Sequence, residues 1–568
     1  MKKYLIILSA ILLMGGLVWA DDTEGSVTFK YTVVSDEDSK VKASEYRDDE
    51  DSAGFAVDLT SQMQDHGLFL ISGHTSTKDD HSYGLSLWTG PHFSISASYR
   101  EFVHNTIHDP LTNLEAISDV KVTRFTDFNP ETDYGVVYTD TNARIDYAVH
   151  GYENLKLYLS YRDESRKGWK QARTVSHCST CHVVGMDRKV DQSMQDGEVG
   201  ASLMVKNFRL AVSHLSRTFK ENGATPTFTY EDALHPALRT PVFEDRVQYD
   251  LDEGAQLINQ VPKVEKTQDN IQLDFNWNSG DLTAAYTMAE VTNKTTHNAF
   301  DYNALLARGK QRLSEKMTLR LRFRTYEIDN DDYFVDTAEP AAIAGPYVGE
   351  TYRQHYGYDP DFLRRSAMNR TVSDGLAELQ YRYMKRGHLK FGLRYTSVDR
   401  DHFEVSEGEK ETVTNKFYVD WRHWIPESWK LMANLSYSDI SHPFGIVDGG
   451  CNPDMDTTPV GSPLAPGSLQ YYEWQDAREY NLSNQPSKDL FFRFSASRPL
   501  KGTTTLMFNT RYKDQKNSDL DFSKWDRNSL MASLYLNWTA MDRWSWFAGY
   551  NYSDEETTTH VCIPVMDG

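Results

Sequence analysis

Cysteine is scarce, four in 568 residues, too few for a scaffold held together by disulfides. Long apolar runs are scarcer still. After one stretch from Tyr4 to Val18, no segment approaches the roughly 20 apolar residues that a membrane helix needs. Mean hydropathy is −0.60, so the chain is not a helical membrane protein. Positive charge is also short. Against 60 Lys and Arg stand 82 Asp and Glu, a net charge of −22, which argues against nucleic acid as a partner. Also lacking are a phosphate-cradling glycine loop, a nucleotide motif and a hydrolase triad. The expectation is therefore that the protein is not an enzyme.

What is present begins with an address. Met1-Lys2-Lys3 is followed by the apolar run and by Val18-Trp19-Ala20, the layout of a secretory signal peptide over residues 1–20, cleaved after Ala20. The remainder, 21–568, is rich in Tyr (33), Phe (26) and Trp (12). An exported, aromatic chain without apolar helices fits an outer-membrane β-barrel or a large secreted β-protein, and strand patterning separates the two.

Alternation with period two is clearest in the second half. Leu319, Leu321 and Phe323 alternate with Arg320, Arg322 and Arg324. Leu389, Phe391, Leu393 and Tyr395 alternate with Lys390, Gly392, Arg394 and Thr396. Such strands have one apolar and one polar face. Very short turns at 279–280, 314–315, 386–387, 427–428, 501–502 and 541–542 are interleaved with long polar stretches at 327–373, 399–412, 439–487 and 514–527. Strict alternation of short and long connections is the habit of outer-membrane barrels, with apolar faces toward lipid and charged faces toward a wet lumen. The reading is all-β: a single large antiparallel transmembrane β-barrel of roughly 20–28 strands when complete, in the outer membrane of a Gram-negative bacterium. On this reading Arg320, Arg322 and Arg324 point into the lumen. The chain stops in loop-like sequence after a strand near 543–553, so closing strands beyond Gly568 are expected. Cys451 and Cys562 both fall in connections assigned to the external side, and a disulfide between them requires Cα atoms within about 7 Å.

The most specific motif is His177-Cys178-Ser179-Thr180-Cys181-His182, in a stretch (164–198) read as a long connection. Cys-x-x-Cys-His is the attachment signal for c-type haem: both thiols add to one porphyrin edge and the adjoining imidazole ligates iron. Cys178, Cys181 and His182 are the candidate site for one haem c, with His182 as the iron ligand. A plain disulfide between Cys178 and Cys181 is the competing reading. Half of a zinc site is a third, and the chain has no second ligand pair to complete it. His150, His214 and His235 are candidates for a distal ligand. Lys170, Arg173, Arg188 and Lys189 flank the motif, either as partners of haem propionates or as solvated charge.

Other stretches carry a family likeness. Residues 38–48, Asp-Ser-Lys-Val-Lys-Ala-Ser-Glu-Tyr-Arg-Asp, resemble the opening of the barrel subunits of porin–cytochrome electron conduits of the Mtr/Pio type. His81-Ser82-Tyr83-Gly84-Leu85, residues Tyr99 to Asn105, and Leu238-Arg239-Thr240-Pro241-Val242-Phe243 continue the resemblance in order along the first half. It implies a barrel that sheathes periplasmic and extracellular multihaem c-type cytochromes, so that electrons cross the outer membrane insulated from lipid. In that family haem mostly belongs to the partners, so a haem on this chain would be a variation. The alternative is a passive or substrate-selective outer-membrane porin in which Cys178 and Cys181 form a disulfide.

Overall fold

The computed structural model describes residues 22–33, 45, 52–63, 67–75, 80–111, 124–176, 182–229, 233–234, 241–243, 255–331, 333–335, 348–349, 362–364, 369–400, 411–426, 428–443, 485–500, 504–517, 525–541 and 544–559. The expected signal peptide, Cys178, Cys181, His235, Cys451 and Cys562 lie outside them. Among the described residues there are 28 strands and no helix, and 22 of the strands belong to one sheet. By clustering of contacts the chain forms two compact units. One comprises 1–271, 289–299 and 335–355; the other comprises 272–288, 300–334 and 356–568.

The first ten strands lie in the first unit. They are β1 (Asp22–Thr32), β2 (Ser52–Met63), β3 (Gly67–Thr75), β4 (His81–Thr89) and β5 (Phe93–Thr106). After them come β6 (Arg124–Asp127), β7 (Tyr134–Ala148), β8 (Leu155–Ser176), β9 (His182–Val205) and β10 (Phe208–Glu221). Apart from β6 they form an antiparallel meander in chain order. Short turns join β4 to β5, β7 to β8 and β9 to β10, the last at Lys206–Asn207. The connections 33–51 and 107–133 that alternate with them are long, but 76–80 and 177–181 are no longer than the turn 149–154.

β8 and β9 break the pattern of lengths. They hold 22 and 24 residues, where a tilted strand needs only about 9–11 to cross a bilayer. β7 accompanies β8 no further than Trp169, and β10 accompanies β9 only from Gln192. Yet β8 and β9 stay paired to Ser176↔His182. The stretch 164–198, expected to be a long connection, is therefore a hairpin running about 23 Å past Trp169 at ~3.3 Å per residue. Only the five residues 177–181 remain as its connection. The reason is that alternation marks only those parts of a strand with unlike faces. Above the membrane both faces meet water or polar protein, so the strand continues without its sequence signature.

In the second unit, strand Met317–Asn330 pairs with Arg370–Met384, and that strand with Gly387–Asp399. The meander continues through Glu411–Trp424, Lys430–Ser441, Lys488–Pro499, Thr504–Asn517, Trp525–Met541 and Trp544–Thr559. Leu321, Phe323, Leu393, Phe417 and Leu435 stand exposed on one face, Leu393 at 62 %. On the other face the arginines meet acids. Arg320 donates to Glu378 at 2.9 Å and Arg322 to Asp374 at 2.7 Å. Arg394 reaches the second oxygen of Asp374, and Lys390 lies 3.2 Å from Glu378. The expected placement of the arginine row opposite the apolar face holds. Arg324 donates instead to the Tyr302 hydroxyl at 3.1 Å, and Glu378 and Asp374 are shared with Lys390 and Arg394, so the wall neutralises the row only in part. Tyr418 also donates to Glu378, at 2.8 Å. Its ring crosses Gly392, which lies between the two residues in the lateral row Glu378↔Gly392↔Tyr418. A Cβ at Gly392 would sit 2.1 Å from that ring, so only glycine allows the contact.

Candidate functional site: a clamped hairpin carrying Cys-x-x-Cys-His

A bare two-stranded ribbon rising from a sheet would expose two unpaired edges and have little to bury. Here the outer edge of β9 is covered. β6 pairs in parallel with the start of β9, Arg124↔His182 to Asp127↔Gly185, and Phe128 N–H donates to Gly185 carbonyl at 2.9 Å. Lower on the same edge, just past the end of β10, Asn222 N–H donates to the Asp191 carbonyl at 2.8 Å. Beyond it, the small antiparallel pair Thr227–Thr229 and Ala255–Leu257 forms its own ladder. The Asn259 side chain reaches the Arg173 carbonyl.

The segment 107–111, just after β5, packs on the hairpin base and completes the clamp. Leu111 is 1 % exposed, although it takes a left-handed backbone conformation at φ 62°. Val136 and Val184 are fully buried, and Ala172, Val190, Tyr134 and Ile258 nearly so. These residues make up most of the buried apolar side chains among the described residues. Gln171 and Asp109 exchange two hydrogen bonds, Asp109 N–H to the side-chain oxygen at 3.2 Å and the side-chain N–H to Asp109 carbonyl at 2.8 Å. Arg173 pairs with the Asp109 carboxylate at 2.8 Å. Gly168, at φ 155°, lets β8 pass close to β7, because a Cβ there would fall 2.0 Å from the Gly135 carbonyl oxygen.

A polar chain runs beside this apolar plug. His108 bonds the Thr132 carbonyl through Nδ1 at 2.8 Å and the Asp127 carboxylate through Nε2. Thr132 and Tyr134 donate to the two oxygens of Asp187, at 3.2 and 2.9 Å. Asp187 N–H donates in turn to the Asn129 side chain. Burial pulls the pKa of His108 down, but the Thr132 carbonyl and the Asp127 and Asp187 carboxylates outweigh it and hold the imidazole above its usual value.

This geometry sorts the candidate residues. Backbone pairing places His182 opposite Ser176 at the head of β9. Cys178 and Cys181, in the connection between those two residues, lie outside the described residues. His150 precedes β8 at its far end, about 70 Å along the strand from Ser176. His214 is level with Val199, about 55 Å along β9 from His182, and its Nδ1 faces Asp269 at 2.8 Å. Neither can serve as a distal ligand to an iron held at His182. Two flanking cations are committed elsewhere, Arg173 to Asp109 and Arg188 to Glu221 at 3.1 Å. Lys170 stands opposite Arg188 in the ladder. The clamp was not foreseen. Its parts come from 107–111, 124–134, 171–173 and 183–191, and in each the sequence shows only ordinary polar residues.

The donor set, two thiols two residues apart and an adjoining imidazole, suits covalent haem attachment.

No curated protein matches the chain at a significant level. Among solved structures, BauA, the ferric preacinetobactin receptor from Acinetobacter baumannii, is similar at 10 % identity and TM-score 0.39, covering 94 % of this chain and 79 % of that one. The FrpB iron transporter from Neisseria meningitidis (F3-3 variant) shares 9 % identity at TM-score 0.46, covering 86 % and 72 %. OmpT of Vibrio cholerae shares 8 % at TM-score 0.28, covering 68 % and 92 %. The family model described as outer membrane β-barrel porin, MtrB/PioB, matches residues 34–561, nearly the whole length. The chain belongs to the MtrB/PioB family of outer-membrane β-barrel porins.

Proposed function

We propose that this barrel sheathes multihaem c-type cytochromes from the periplasmic and extracellular sides, so that electrons cross the outer membrane, and that it carries one haem c of its own. The protein would be exported with its signal peptide removed after Ala20. The observation that carries the second part is the position of Cys178, Cys181 and His182. The motif joins two strands that stay paired past their outer neighbours, with β6 clamped along the β9 edge. The rim with the long connections is the external one in bacterial barrels. A haem there would be a terminal station at the outer surface, held by Cys178 and Cys181 as thioethers with His182 on the iron. Bound haem supplies a one-electron carrier; the protein's part is to fix its place and exclude lipid. The polar face built around Asp374 and Glu378 supports the first part, since a cytochrome threaded through a barrel needs a wettable wall, and the cations left over beside these two carboxylates suit an acidic partner surface.

The test is affinity purification of the full chain from native outer membranes. Copurified multihaem cytochromes, and a covalent haem signal on the chain's own denatured band, are the expected results. The Cys178→Ser, Cys181→Ser double variant should lose that signal and keep the cytochromes. If the wild-type band carries no haem, and its two thiols resist alkylation until reduced, the motif is a disulfide. If no cytochrome copurifies and vesicles containing the protein leak small solutes, the chain is a passive porin.

A further inference from the structure

The rim opposite the hairpin tip carries a different chemistry. The turn between β4 and β5 ends in Pro91-His92, and the turn between β7 and β8 contains His150 and Glu153. These turns are neighbours because β5 pairs with β7, with Phe93 opposite Tyr147. Ala148 N–H donates to the His92 carbonyl at 2.7 Å, which locks the two together at their base. Among the described residues this is the one place where three metal-binding side chains converge. One ligand atom each from His92, His150 and Glu153 lies within 4.8 Å of the others.

We propose that His92, His150 and Glu153 form a binding site for a borderline divalent transition-metal ion, of the Zn²⁺ or Cu²⁺ class, that staples these two turns. Four observations support it. First, the donor set is two imidazoles and a carboxylate, which suits such ions and is poorly suited to Ca²⁺ or Mg²⁺, which prefer oxygen alone. Second, His92 Nδ1 lies 3.3 Å from the Ala148 carbonyl. A carbonyl there accepts the Nδ1 proton, which leaves the Nε2 lone pair free to bind metal. That is the outer contact that metal-ligating histidines usually make. Third, the rings of His92 and His150 meet edge to face with centroids 5.4 Å apart, beside the Glu153 carboxylate. Fourth, Glu153 is turned back over its own turn by the Gly151 N–H, which donates to one carboxylate oxygen at 3.3 Å.

Around a tetrahedral Zn²⁺, ligand atoms about 2.0–2.2 Å from the metal lie roughly 3.4 Å from one another. His150 and Glu153 are exposed, so side-chain rotation alone closes the remaining distance. Three protein ligands leave a fourth position for water or for a donor from outside. Short-turn rims are periplasmic in bacterial barrels, so the site would meet the metal ions of that compartment.

The experiment is calorimetric titration of the detergent-solubilised full chain with Zn²⁺ alone. It is carried out in the Cys178→Ser, Cys181→Ser background so that thiols take no part, with Co²⁺ as an absorbing probe in parallel. One equivalent is expected to bind more tightly than the rest, and the visible bands of Co²⁺ should report a four-coordinate site. Glu153→Gln and His150→Ala should each weaken that equivalent at least tenfold. Both should leave the unfolding temperature of the metal-free barrel unchanged, while the Zn²⁺-dependent rise of the parent is lost. Equal titration curves for parent and both variants would overturn the proposal. So would a Co²⁺ spectrum of six-coordinate, oxygen-only type.

Discussion

Leu111 offers the sharpest test of the clamp, because its packing and its backbone pull in opposite directions. Its side chain is buried to 1 % exposure in the plug with Val136 and Val184, yet its φ of 62° is a conformation that costs a non-glycine residue about 1–2 kcal/mol. Leu111→Ala keeps the strained backbone and removes the packing. Replacing a fully buried leucine in this way costs about 3–5 kcal/mol, and the lower figure applies where a surface segment can settle into the gap. A loss of about 3 kcal/mol lowers protection against local opening roughly a hundredfold. Leu111→Gly removes the same packing but relieves the strain, so it should fall about 1 kcal/mol short of the alanine variant. Hydrogen exchange read by mass spectrometry over 107–111, 124–134 and 183–191 measures both. Faster exchange in those peptides, with 317–330 and 411–424 unchanged, is the expected pattern. If both variants exchange like the parent, Leu111 does not hold the segment to the hairpin. If the glycine variant is more protected than the parent, backbone strain outweighs packing and the reasoning is wrong.

His108 makes the same clamp sensitive to pH. Its pKa is raised in the folded protein, so its contribution is complete below about 6.5, the ordinary histidine value, and fades as pH climbs through the raised one. Protease cutting within 107–133, normalised to an unstructured peptide, should therefore increase from pH 6 to pH 9 in the parent and stay level in His108→Gln. In the wall, Gly392→Ala should drive the Tyr418 ring off its row and cost about 1–3 kcal/mol, read as a lower temperature for the heat-induced gel shift of the barrel. Tyr418→Phe should cost only about 1 kcal/mol, since it removes one hydrogen bond and keeps the ring; equal losses in the two would argue against a packing role for Gly392. Asp374→Asn leaves Arg322 and Arg394 without their shared carboxylate. Because both guanidinium groups are nearly half exposed, about 1–2 kcal/mol is expected rather than the full cost of a buried pair, again by the gel shift.

Within the bilayer the sequence alone determined a great deal. Wherever lipid lies on one side of a strand and water on the other, the two faces must differ, and the alternation at 319–324 and 389–396 records it residue by residue. Turn lengths fixed the order of the meander for the same reason, since consecutive strands pair through their shortest links. The Cys-x-x-Cys-His run was equally legible, because its chemistry lies in spacing along the chain. Tertiary structure decided what depends on residues distant in sequence. Residues 164–198 look like a loop because a strand bathed in water on both faces has no alternation to show, and only its pairing from Trp169 to Ser176 makes it a hairpin. Leu111, His108 and Asp187 look like ordinary loop and strand residues until β6 pairs with β9. His92 and His150, 58 residues apart in the sequence, meet only because β5 and β7 are neighbours in the sheet. That proximity belongs to the register of the sheet, and no local pattern in the chain encodes it.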